Sequence, residues 1–148
     1  AGSVWSAYFA HFEKLEEPLY YYYQHDASTV HRVDEQRTED RLRAVDELKS
    51  QCDMRGLSDI YKEELEYRYT ELYLVNTLFS YMQGVAHPRL SFVRRIKEGI
   101  MKAYPNFQSN AYYDRNTPDV EKRFIALLMR SEKLFMIDYR IKRFIWKR

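Results

Sequence analysis

Between Gln24 and His31 the chain gathers five side chains that can donate hydrogen bonds: Gln24, His25, Ser28, Thr29 and His31. They follow Leu19-Tyr20-Tyr21-Tyr22-Tyr23. Four tyrosines in a row favour a strand, because aromatic rings fit a pleated, half-buried surface. Pro18 marks the strand's start, a position that tolerates the missing N–H. A polar loop at a strand end can hold phosphate or sugar hydroxyls. The hydroxyls of Ser28 and Thr29 can donate to oxygen acceptors, and the neutral imidazole of His25 can ligate a metal. The same residues also read as a tyrosine-rich edge strand with a loop that caps the next helix. The sequence leaves both readings open.

Other chemistries find little support. The four glycines are scattered, so no phosphate-cradling loop is present. One cysteine and histidines at 11, 25, 31 and 87 make no zinc pattern. Glu16-Glu17, Asp34-Glu35 and Glu63-Glu64 are adjacent pairs, which point to different sides of a helix and serve poorly as general acid and base. Ser28, His31 and Asp34 are near enough in sequence to consider as a nucleophile triad, but nothing there activates the serine. Cys52 falls on the apolar stripe of a helix and reads as a buried, inert thiol. As the lone cysteine it forms no intramolecular disulfide, which fits a reducing compartment. A net charge of +2 is too balanced to point to nucleic acid.

The elements that must position these residues are mostly helices. With 45% hydrophobic and 31% charged residues, a chain of 148 residues is globular and long enough to bury a core. The fold class expected is mainly α: a helical bundle of four to five helices, preceded by a short strand-containing segment. Residues 1–31 form the first part and 32–148 the helical domain. A helix over 33–55 carries Val33, Leu42, Val45, Leu48 and Cys52 on one stripe and stops at Gly56. A second, over 58–83, has Ser58 as cap and Gly84 as stop; its 72–82 portion is apolar all round and so central, and Asn76 within it needs a partner if buried. A third opens at His87-Pro88 and lines up Leu90, Val93, Ile96, Ile100 and Tyr104. After a break at 104–110, a loop to 116 offers Tyr112 and Tyr113 as packing anchors. Thr117-Pro118-Asp119 starts a fourth helix, with Val120, Phe124, Leu127 and Leu128 inward. Ser131 can cap a fifth.

Glu17-Pro18-Leu19-Tyr20-Tyr21-Tyr22-Tyr23-Gln24-His25, followed by Ser28-Thr29, resembles the segment that ends the catalytic domain of bacterial family-2 glycosyltransferases of the GT-A type. Glu66-Tyr67-Arg68-Tyr69-Thr70-Glu71-Leu72-Tyr73, Pro105-Asn106-Phe107-Gln108-Ser109-Asn110 and the closing 133–148 run resemble the helical tail of such enzymes. The resemblance covers nearly the whole chain. It implies that 1–31 is the end of a catalytic domain and 32–148 its helical C-terminal domain. In that family the nucleotide-sugar fold, the acidic metal motif and the catalytic base lie upstream of the matching segment. The implied activity is transfer of a sugar from a nucleotide-sugar donor to a saccharide or lipid-linked acceptor in cell-surface polysaccharide synthesis, with Mn²⁺ or Mg²⁺ in the full enzyme. This portion alone would be inactive, and His25, Ser28 and Thr29 would lie at the edge of the donor site. The competing reading is a non-catalytic helical protein-interaction module, whose fourteen tyrosines supply amphipathic contact surface.

The last stretch has its own chemistry. Leu134, Ile137, Ile141 and Ile145 share one side at helical spacing, flanked by Phe135, Tyr139 and Trp146. Arg140, Lys142, Arg143, Lys147 and Arg148 supply five cations, and no acid follows Asp138. Fifteen residues are too few to span a bilayer, but an amphipathic basic helix can lie on an anionic membrane surface, with Trp146 at headgroup level. The expected location is the cytoplasm, peripheral on the inner face of the membrane where the helix docks. The alternative packs the apolar side on the bundle and leaves the cations in water.

Overall fold

Asp34 sets the start of the first helix. The computed structural model describes residues 33–146, with side chains through Lys142. The strand-containing segment expected over 1–31, and with it His25, Ser28 and Thr29, lies outside the described residues. Helix α1 (Glu35–Met54) begins where the Asp34 carboxylate accepts the Arg37 N–H at 2.9 Å, satisfying one of the free donors of the first turn. Thr38, Leu42, Val45 and Cys52 are buried at spacings that put them on one face. Gly56 follows in the left-handed region, φ 66°, the one expected glycine stop that the backbone uses.

The single helix expected over 58–83 is divided. A short α2 (Leu57–Ile60) ends at Tyr61, whose φ of −118° and ψ of 43° leave the helical region. Ser58 does not cap; its hydroxyl donates to Asp53. Then α3 (Lys62–Tyr69), a π-helical segment (Thr70–Asn76) and α4 (Thr77–Gly84) run on as one central rod. The π segment makes room for the extra residue in its turn, and the Thr77 hydroxyl donates to the Leu72 carbonyl five residues back, at 2.7 Å. Burial on several sides is as expected here: Leu74, Leu78, Tyr81 and Met82 are fully buried. Asn76 is exposed and needs no buried partner. Gly84 is no left-handed stop but the last helical residue, pressed on Val33, where a Cβ would come within 2.4 Å of the valine Cβ.

Helix α5 (Leu90–Ala103) buries Val93, Ile96 and Ile100 as its spacing predicts, and Phe92 as well. After a one-turn 3₁₀ segment (Phe107–Ser109), the expected loop is instead a short helix, α6 (Ala111–Asn116). Asn110 explains it: its side-chain oxygen accepts the N–H groups of Tyr112 and Tyr113, while its amide donates to the Glu63 carbonyl at 2.9 Å. One buried side chain thus caps α6 and ties it to α3. Helix α7 (Asp119–Arg130) starts one residue later than expected, with extended Pro118 at the capping position and Thr117 buried without capping. Its buried face is Phe124, Ile125 and Leu128; Val120 points to solvent, 53% exposed. Ser131 caps α8 (Glu132–Trp146) through the Leu134 N–H, at 3.4 Å.

Among the described residues the long elements are α1, the α3–α4 rod, α5, α7 and α8, with no strand. This is the mainly helical bundle that the sequence predicts. The rod packs on α1 and α5, and α8 packs on α7 and α5. Aromatic pairs bind these layers: Tyr81 stacks on Phe92 at 4.4 Å, and Phe124 meets Phe135 edge-on at 6.3 Å. Each fully buried leucine or isoleucine contributes about 1.5–3 kcal/mol.

Candidate functional site: a charged groove and the outer face of the last helix

Tyr69 and Tyr73 stand four residues apart where α3 passes into the π segment. Their rings stack at 4.9 Å with 11° between planes, and Tyr104 meets Tyr69 edge-on at 5.3 Å. The Tyr69 hydroxyl donates to Asp46 on α1 at 2.6 Å. The Tyr73 hydroxyl lies over Gly99 on α5, where a Cβ would fall 2.0 Å from it. A glycine inside a helix costs about 1 kcal/mol relative to alanine; here the close approach of the tyrosine requires it. The two tyrosines floor an open groove of about 600 Å³, walled by Asp46 and Lys49 of α1 and by Arg95, Glu98 and Lys102 of α5.

Electrostatics fix the protonation of this floor. Burial raises Tyr69 far above the usual phenol range, and its hydrogen bond to Asp46 adds to the effect. Tyr73 is raised by burial first and by Asp46 second. Both therefore remain hydroxyl donors at neutral pH and supply no phenolate. Lys49 is held charged by its hydrogen bond to Asp53, 2.6 Å away, and Arg95 pairs with Glu39. The groove can offer donors and acceptors of both signs, but no activated nucleophile. Cys52 is buried and its thiol is pushed up by that burial, which makes it inert, as its place on the stripe predicts. Among the described residues no group of histidine, cysteine, aspartate or glutamate is placed to hold a metal ion.

A second polar cluster is structural. Glu35 accepts from the buried Tyr81 hydroxyl at 2.8 Å and from the Arg89 guanidinium at 2.7 Å, while the Arg89 N–H donates to Tyr81 at 2.8 Å. This clasp joins the first turn of α1 to the end of the rod and the start of α5. Charged side chains just before the buried part of the rod are paired as well. Arg68 pairs with Glu71 at 2.5 Å, and Glu64 accepts from Tyr112 at 2.9 Å.

On α8 the structure separates two faces. Phe135 and Met136 are buried, and Tyr139 packs partly on the core through Phe124 and Phe135. Leu134, Ile137 and Ile141 are 49%, 56% and 55% exposed. The helix does pack on the bundle, as the alternative reading has it, but through the aromatic face expected only as a flank and not through this aliphatic row. Arg140 is exposed. Lys142 pairs with Asp138 at 2.8 Å and lies 4.5 Å over the Phe124 ring, so it belongs to the seam with α7. The side chains of Arg143 and Trp146, and residues Lys147 and Arg148, lie outside the described set.

The groove residues were not legible as a site. Asp46 reads as one charge among many on a solvated helix face. Two signals point to it: the Tyr69–Tyr73 spacing, and Gly99 inside an otherwise regular helix. No family model, curated protein or solved structure matches the chain. Its function is therefore to be read from this geometry and from the residues themselves.

Proposed function

We propose that the chain is the C-terminal portion of a glycosyltransferase that moves a sugar from a nucleotide-sugar donor to a saccharide or lipid-linked acceptor. In this reading the helical unit presents the acceptor side. The donor site, with His25, Ser28 and Thr29 at its edge and Mn²⁺ or Mg²⁺, belongs to segments outside the described residues. The observation that carries the reading is the groove. Its charges alternate along both walls: Asp46 then Lys49, and Arg95, Glu98, Lys102. An anion would meet two carboxylates and a cation three basic groups, while an apolar ligand would strip water from all five. A neutral ligand rich in hydroxyls, each both donor and acceptor, satisfies walls of mixed sign. A volume of about 600 Å³ suits a small saccharide. The resemblance at 17–29 supplies the transferase class.

The test is a titration of the 148-residue chain with a panel of neutral disaccharides, followed by amide chemical shifts. Saturable shifts at Asp46, Tyr73 and Glu98 are expected, weakened roughly tenfold in Asp46→Asn, in line with the loss of a hydrogen bond to a charged group. Shifts that are absent, or unaffected by that change, would remove the acceptor role. The same chain should show no saturable binding of uridine or guanosine diphosphate sugars with manganese; micromolar binding would place the donor site within it. The second reading, a non-catalytic helical interaction module, is favoured by the exposed row on α8.

A further inference from the structure

We infer that the outer face of α8 docks on an anionic membrane surface, a property that does not depend on the transferase reading. The inner face of this helix is already committed. Phe135 and Met136 are buried, Phe124 meets Phe135 and Tyr139 edge-on, and Glu132 pairs with Lys97 of α5 at 3.0 Å. The helix thus has one orientation on the bundle, and in it Leu134, Ile137 and Ile141 project outward. A row at i, i+3 and i+7 is a continuous stripe along about two turns. No helix among the described residues is long and apolar enough to cross a membrane, so this stripe can be buried only by something laid against it.

Charge selects the occupant. Lys133 and Arg140 are exposed on the same helix, and from residue 139 to the end the chain carries no acid and, besides Lys142 of the seam, four cations. The one acid in the stripe's second half, Asp138, is neutralised by Lys142. A second copy of the chain would bring the same excess of cations to a self-complementary contact and be repelled. A bilayer rich in anionic lipid offers both an apolar boundary for the row and counter-charge for the rim, with each cation near the surface strengthening binding roughly fivefold.

Sedimentation of the full chain with vesicles tests this, using phosphatidylcholine alone and phosphatidylcholine mixed with phosphatidylglycerol. Co-sedimentation with the mixed vesicles only, weakened several-fold by raised salt, is expected. Ile137→Glu with Ile141→Glu should lower binding at least roughly tenfold, and Arg140→Glu should lower it less. Both positions are exposed, so the far-ultraviolet circular dichroism and melting temperature of the variants should match the parent. Absence of binding, equal binding to neutral vesicles, or full binding by the double variant would overturn the inference. So would lipid-free self-association that the double variant abolishes, which would assign the row to a second copy. None of these outcomes involves a sugar, so the groove stands or falls separately.

Discussion

The central rod and the last helix draw on the same residue types, yet the bundle treats them differently. Along the rod, Tyr73, Leu74, Val75, Leu78, Tyr81 and Met82 are buried, because α1 and α5 each claim a side. Along α8, the neighbours α7 and α5 cover only the face of Phe135 and Met136, and three aliphatic side chains remain half exposed. Hydrophobic residues at helical spacing define a stripe; the number of neighbours decides whether it becomes core. The rod holds the fold together, and α8 offers what the fold does not need.

Substitutions can break that contrast. Leu78→Ala leaves a cavity in a fully buried site and should cost about 2–5 kcal/mol in urea unfolding, the largest effect here. Asn110→Ala removes a helix cap and a tie to the Glu63 carbonyl, and should cost about 1–2 kcal/mol by the same measurement. Glu35→Gln probes the clasp through pH. Hydrogen bonds from Arg89 hold the Glu35 carboxyl below its usual range, so its contribution is complete above the ordinary glutamate value, about 4.3, and is lost as pH falls through the lower folded value. Melting temperature followed into acid should therefore fall less steeply in Glu35→Gln than in the parent; parallel curves would show the clasp to be idle. Tyr113→Phe deletes a buried hydroxyl that has no hydrogen-bond partner among the described residues, so stability should hold or rise by up to about 1 kcal/mol. Ile141→Ala should change stability by no more than about 0.5 kcal/mol. A loss at Ile141 approaching that at Leu78 would end the contrast.

Much of the fold was legible because periodicity reports burial directly. The stripes of α1 and α5 and the burial of the rod on several sides follow from spacing, and the Gly56 stop from the one residue type free to take a left-handed turn. What spacing could not report was local backbone competition. Tyr61 breaks the rod's expected start without any proline or glycine, and Asn110 turns a polar loop into a helix through bonds reaching Glu63, 47 residues away. On α7 the packed face keeps Phe124 and Leu128, takes in Ile125, and leaves Val120 of the first turn outside. The groove escaped notice because it is tertiary. Its walls come from α1 and α5, and only the packed bundle sets Asp46 opposite Glu98. The aliphatic row of α8 was legible as a stripe, but not which face of the helix would pack: the bundle is sealed by Phe135, not by Ile137.

The π segment sets the phase between two halves of one rod. Tyr69 before it reaches Asp46, and Tyr81 after it reaches Glu35. Deleting a single residue within 70–76 would remove the extra residue that the wide turn holds and restore ordinary winding, leaving the two halves close to their present phase. Such a chain would keep both Tyr69 and Tyr81 on their carboxylates, whereas the same deletion in the ordinary helix between Asn76 and Tyr81 would turn everything beyond it by about 100° and break one of the two ties. The π segment is therefore the place where the rod's length can give by one residue. In a set of related chains, single-residue gaps between Tyr69 and Tyr81 should fall inside 70–76.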